Sequence, residues 1–334
     1  MRALILTLLL PLNAPAQKFF PDDPLLREPP PVNVGKLLNR SINQYFDFFQ
    51  DLFFMPDKEE VKHHTGGPSQ AVNTLGEVPD NSWFTNRVGS RPMSIEELLR
   101  GPGDDHSPAT DRPWTVVSGK NEGITPGLVF RDSKGRLYFL KFDPKSNPGM
   151  ASAADVLGSK FYYAIGYNAP ENYVVTFSRQ QLVVNEKSSY RTPQGNKRAM
   201  TERDVDDVLA KTPREQDGRY RGLASFSIAG DIIGPHRYYG TRTDDPNDIV
   251  NHENRRDQRG LYVFAAWLNH TDSKSINSLD SVVEENGRRF VKHFLIDFGA
   301  ILGSDSFEPK QPRRGNVYVF TWKDSAKQFF SLGA

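Results

Sequence analysis

The sequence predicts an α+β protein with an irregular N-terminal extension, on three observations. Short runs rich in β-formers fill residues 114–143 and are joined by turn residues. Longer stretches, about Ala151 to Ile165 and Pro246 to Trp267, read as helices. More than half of the 24 prolines fall before residue 115, which keeps regular structure sparse there.

The 334 residues are 37% hydrophobic and 25% charged, the make-up of an ordinary globular protein. Net charge is +1, so composition gives no reason to expect nucleic acid as a partner. Met1-Arg2, an apolar run from Ala3 to Leu12 and the small-residue site Ala14-Pro15-Ala16 have the form of a secretory signal peptide. The expectation is therefore an exported protein, periplasmic or extracellular, cleaved near Ala16. No apolar run is long enough for a transmembrane segment in the mature chain. There is no cysteine, hence no disulfide or lipoprotein anchor.

Residues 17–112 form the extension. It starts proline-rich. Leu38, Ile42, Tyr45, Phe46, Phe49, Leu52 and Phe53 then recur at helical spacing, predicting a helix packed on the body. Ser94 with Glu97 three residues on predicts a capped short helix. The segment around Trp83-Phe84 reads as a loop strapped across the body. From Trp114 the sequence predicts strands at Trp114–Ser118, Leu128–Arg131 and Arg136–Asp143, the last two joined by the turn Asp132-Ser133-Lys134-Gly135. A helix ending before Gly166 follows. A hairpin of Tyr173–Phe177 with Gln181–Val184, a short helix at Thr201–Ala210 and a strand at Leu223–Ile228 come next. The long helix 246–267 leads into Asn269-His270, and Ser281–Glu284 pairs with Phe290–Ile296 across Asn286-Gly287.

Lys141 lies in an otherwise apolar strand, Leu137-Tyr138-Phe139-Leu140-Lys141-Phe142, and a buried ammonium requires an acidic partner. Asp155 on the next helix is placed to supply it. Gly119, Gly123 and Gly127 punctuate the loop between the first two strands, where backbone amides can approach phosphates. Further on, His270-Thr271-Asp272-Ser273-Lys274-Ser275-Ile276-Asn277 has the pattern H-x-D-x-K-x-x-N, and Asp297-Phe298-Gly299 begins twenty positions after the Asn. His252, His270 and His293 lie within 42 residues, but their separations fit no zinc-binding spacing. His252-Glu253 with Arg255 and Arg256 reads as a solvated or lobe-bracing face.

In this order, over roughly residues 114–305, the chain resembles the protein-kinase-like superfamily. Gly166-Tyr167-Asn168-Ala169-Pro170 after the helix looks like the persistence-toxin and lipid-kinase branches. The resemblance implies a two-lobed fold: an antiparallel-sheet N-lobe over 113–233 and a short, mainly helical C-lobe over 234–334. It implies that Asp272 takes the proton of the acceptor hydroxyl and Lys274 neutralises the transferred phosphoryl group. Asn277 and Asp297 would hold Mg²⁺ or Mn²⁺, and Lys141 with Asp155 would hold ATP beside Gly119 and Gly123. His270 would be a structural residue beneath the loop.

Thr271 stands where most members have Arg, and Asp155 where they have Glu, so lysine and helix must approach more closely. Only 35 residues follow Gly299, without an A-P-E motif, and Glu308-Pro309-Lys310 is no substitute. Either the C-lobe is minimal and braced by the extension or the chain is truncated. The expected function is an exported ATP-dependent phosphotransferase acting on a protein, lipid or small-molecule hydroxyl. The alternative is an exported pseudokinase that binds nucleotide or protein without turnover.

Overall fold

The computed structural model describes residues 26–40, 67–119, 127–192, 196–311, 326 and 330. The leader, Gly123 and most of the aromatic helix expected over 35–54 lie outside the described residues. Residues 35–40 of that stretch are not helical.

The fold is mixed α+β, built on two sheets. The larger has seven strands: β1 (Trp114–Gly119), β2 (Gly127–Arg131), β3 (Leu137–Lys141), β4 (Asn172–Phe177), β5 (Leu182–Arg191), β6 (Lys197–Ala199) and β7 (Tyr220–Phe226). Their order is β4-β7-β3-β2-β1-β5-β6, antiparallel except for the β1–β5 pair. Alternate residues of β1 to β3 point inward, and Trp114, Leu128, Phe130, Tyr138 and Leu140 are fully buried. The smaller sheet, β10-β9-β8, comprises β8 (Asp231–Gly234), β9 (Ser278–Glu285) and β10 (Arg288–Leu295). Asn286 and Gly287, at φ of 52° and 71°, turn the β9–β10 hairpin as their dipeptide predicts.

Four α-helices are described: α1 (Ile95–Arg100), α2 (Met150–Ile165), α3 (Glu202–Leu209) and α4 (Arg256–Trp267). The capping box of α1 forms as expected, with Ser94 Oγ accepting from Glu97 N and Glu97 Oε2 from Ser94 N. No described helix is long and apolar enough to cross a membrane.

Two expectations need correction. The predicted hairpin of Tyr173–Phe177 with Gln181–Val184 does not exist. β4 pairs with β7, while β5 crosses to pair in parallel with β1. The linker holds no glycine or Asn-Gly turn. It forms a 3-10 turn at Arg179–Gln181 that leads into β5, and buried Phe177 packs 5.3 Å from Trp114. The helix expected over 246–267 begins only at Arg256, so the described second half carries one long helix beside a three-stranded sheet. Asp and Asn side chains compete for the preceding backbone: Asp248 Oδ2 accepts from Arg242 N, and Asp245 Oδ1 from Asn247 N at 2.9 Å.

The extension wraps the smaller sheet. Val34 N bonds Arg289 O and Arg40 N bonds Ile233 O, each at 2.8 Å, and Val34 packs with Ile233, Val282 and Val291. The strap around Trp83 forms as expected. Asn81 Oδ1 accepts the amides of Trp83 and Phe84 in an Asx turn, and Trp83 is buried. His252 and Arg255 are also buried and brace the body, while Arg256 faces solvent.

Candidate functional site

Lys141 ends β3, where its register partners Gly127 and Leu223 fix its position in the middle of the larger sheet. Its Nζ lies 3.2 Å from Asp155 Oδ2 and 2.8 Å from Asp297 Oδ1. One ammonium thus joins a strand, α2 and the loop after β10 across 156 positions of sequence. Burial alone would lower the Lys141 pKa, but the two carboxylates outweigh it and hold the ammonium charged. The shorter aspartate still completes the pair.

Asp155 is almost inaccessible, with its side chain 4% exposed. Its Oδ1 accepts from Asn172 Nδ2 at 2.9 Å and from the amide of Phe298 at 3.3 Å. Burial pushes its carboxyl up, against the pull of Lys141. Asp297 is held at φ 62°, a left-handed conformation that Asp tolerates better than most residues, and its side chain stays 43% exposed. Two carboxylates share one lysine, which leaves a net negative charge facing the cleft. That donor set suits a hard divalent cation.

The second group is carried by the loop after α4. Asp272 Oδ1 lies 2.7 Å from Lys274 Nζ, and Asp272 Oδ2 accepts from Asn277 Nδ2 at 2.8 Å. The Asn277 amide also donates to the Asp272 carbonyl, so its own oxygen keeps its acceptor capacity. A 3-10 turn, Ser275–Asn277, precedes β9 directly. The two groups meet through the backbone: Ile296 N donates to Asn277 O at 3.0 Å, one residue before Asp297. The fields of Asp272 and Asp297 both reach the buried ring of His270.

His270 lies under the loop as a structural residue. Its Nδ1 meets the Tyr162 hydroxyl at 2.9 Å, and burial pushes its pKa down to about 4. Tyr162 stacks on Phe298 at 5.1 Å. α2 can approach this closely only because Gly158 has no side chain; a Cβ there would lie 2.4 Å from Cβ of Phe298. Lys141, Asp155, Asp297, Ser152, Gly299 and Ser306 line one narrow cleft.

Gly119 ends β1 opposite Leu128, beside the ring of Tyr190, and no contact joins it to the Lys141 group. Sequence reasoning missed three supports. Asn172 orients Asp155; its one signal was a polar residue opening an apolar strand. Tyr162 holds His270 and looked like any core aromatic. Lys310 Nζ donates to the carbonyls of Asn269 and Ala300, clamping the loop before His270 to the loop after Gly299.

No protein-family model matches the sequence, and no curated protein does. Among solved structures the chain is similar to a crystal structure of the Golgi casein kinase, at 12% identity and a TM-score of 0.30. The alignment covers 64% of this chain and 57% of that one, so the chain spans little more than half of that kinase. Superposition this loose leaves the reading of the cleft to its own side chains.

Proposed function

We propose that the chain is an exported, atypical kinase-like phosphotransferase that moves the γ-phosphoryl group of ATP to a hydroxyl acceptor. One observation carries this reading: Lys141 bridges Asp155 and Asp297, while Asn277, bonded to Asp272, is tied to the residue preceding Asp297. Residues 113–233 serve as the sheet-bearing lobe and 234–334 as the lobe carrying both loops. The extension, 17–112, braces the second lobe through Val34 and Trp83. Export rests on the leader sequence and predicts a mature chain beginning at Gln17.

Asp297 and Asn277 would hold Mg²⁺ or Mn²⁺, which neutralises charge on the phosphates when bound. Lys141 grips the nucleotide phosphates and is fixed for that task by Asp155, itself locked by Asn172 and the Phe298 amide. Asp272 accepts the acceptor's proton at a carboxylate oxygen. Its two oxygens are held by Lys274 and Asn277, so it meets the hydroxyl in one orientation. Lys274, 40% exposed, reaches towards the transferred group.

The pair Asp297→Ala and Asp272→Ala tests this reading. Asp297→Ala should abolish metal-dependent ATP binding, whereas Asp272→Ala should bind ATP normally and lose transfer by on the order of 10³-fold. Transfer at the parent rate by Asp272→Ala sinks the catalytic assignment. The second reading, a nucleotide-binding module without turnover, draws on the narrow cleft, small for a ligand pocket. It gains if the parent binds ATP and metal but transfers to no hydroxyl, water included.

A further inference from the structure

Asp280 on β9 and His293 on β10 face each other as register partners, and His236 follows β8. Nδ1 of His293 and Nδ1 of His236 approach the same oxygen, Asp280 Oδ1, at 2.7 and 3.1 Å. All three residues are at least 96% buried. One ligand atom from each lies within 4.8 Å of the others. We propose that His236, Asp280 and His293 bind a divalent transition-metal ion, zinc by donor type, in a buried site that fastens the Trp83 strap to the β9–β10 ladder.

Two imidazoles and a carboxylate are zinc donor types, and three protein ligands leave the fourth tetrahedral position to a water or another donor. Hydrogen bonding alone leaves the cluster incomplete: Nε2 of His236 is buried without a hydrogen-bond partner. The charges point the same way. Arg242 pairs with Asp244 at 2.9 Å, and Arg255 with Asp257 at 2.9 Å. Asp245 accepts from Asn247 N, and Asp248 from Arg242 N and His252, while buried Asp280 has two imidazoles at hydrogen-bond distance and the Arg242 guanidinium only at 3.9 Å. A divalent ion supplies the missing positive charge where burial makes uncompensated charge costly. Arg242 Nη1, 3.9 Å from Asp280 Oδ2, steadies the carboxylate from outside.

The surroundings are aromatic. The Trp83 ring stacks on His293 at 3.5 Å and meets the rings of His236 and His252 edge-on at 4.8 and 4.6 Å. Tetrahedral ligation at about 2.0–2.1 Å needs ligand atoms roughly 3.4 Å apart. In the cluster the closest pair of ligand atoms is at 2.7 Å and all three lie within 4.8 Å, a range that brackets this spacing. The zinc spacings sought in sequence failed because they joined His293 to His252 and His270. The fold joins it to His236 and Asp280.

The test is metal analysis of the full chain, purified without a histidine tag. About one zinc per chain should survive size exclusion. Cobalt should replace it with a visible ligand-field band, and a chelator should lower Tm until zinc is restored. His293→Gln and Asp280→Asn should lower zinc affinity by about 10–100-fold or more, while Asp297→Ala keeps the zinc. Should the ligand variants not fold, the parent's cobalt spectrum and chelator response decide. The proposal is overturned if the parent retains no metal, binds neither zinc nor cobalt, and keeps its Tm in chelator. The cluster is then a hydrogen-bonded clasp.

Discussion

Trp114, Phe130 and Tyr138 stack through the larger sheet at 4.4 and 5.1 Å, in a hydrophobic cluster that meets a buried carboxylate, Asp132, at the Tyr138 hydroxyl. Beside the smaller sheet, Trp83 stacks instead on a histidine, among carboxylates and guanidinium groups. An apolar core tolerates shape changes that conserve volume and is indifferent to pH. A polar one is stable only when every group is matched, so it fixes partner and register more strictly and fails when one member is lost. The groups proposed to carry the chemistry lie between the two regions. Lys141 is anchored in the apolar sheet, while Asn277 and Asp297 adjoin the ladder that carries the polar cluster.

Phe130→Ala and Asp280→Ala break the comparison most directly, and each should cost about 3–5 kcal/mol in denaturant unfolding. They should differ with pH. Burial raises the Asp280 pKa, but His293 and His236 overcome it and hold the carboxyl far below its usual 3.8. Its contribution is present above that value and lost as pH falls towards the depressed folded pKa. The deficit of Asp280→Ala should therefore shrink below about pH 4 while that of Phe130→Ala stays constant. Equal deficits at every pH would erase the distinction between the two cores.

His270 gives a somewhat smaller effect in the layer between them. Its ring is held neutral with a pKa of about 4 against an ordinary 6.5, so between those values the unfolded chain binds more protons. Stability should fall by on the order of 3 kcal/mol as pH drops from 6.5 to 4, and His270→Gln should flatten that slope. A variant with the parent's pH profile would place the titration elsewhere.

Gly158→Ala sharpens the comparison at the seam between α2 and Phe298. The added methyl meets Phe298, so a loss of about 1–3 kcal/mol is expected, together with weaker ATP binding through a displaced Asp297. Thermal melts and nucleotide titration measure both. An unchanged melt would mean that the seam yields easily.

Much of the site was legible because its chemistry is local. Asp272, Lys274 and Asn277 lie within six positions, and the resemblance carried by their spacing implied what each could do. Lys141 betrayed itself as a cation in an apolar strand. The polar cluster around Trp83 was not legible. Its members come from the strap, the turn after β8, β9, β10 and the turn before α4, and no local pattern joins residues that meet only in the folded chain. Likewise β5 was assigned to the wrong neighbour, since its strand pattern says that it pairs but not with which partner. The overlong helix before Arg256 arose because helical spacing continued where Asp245, Asn247 and Asp248 could bond the backbone themselves.

The β9–β10 hairpin behaves as a two-pronged fork. Asn277 sits at the root of one prong and Asp297 two residues beyond the root of the other, while Asn286-Gly287 forms the far tip. Paired lengthening at the tip would leave the roots where they are. A single residue added to one prong would turn every side chain beyond it to the opposite face and separate the site's two halves. The tip is thus a permissive position for a label or a grafted peptide, and the prongs are a ruler for the distance between the two loops.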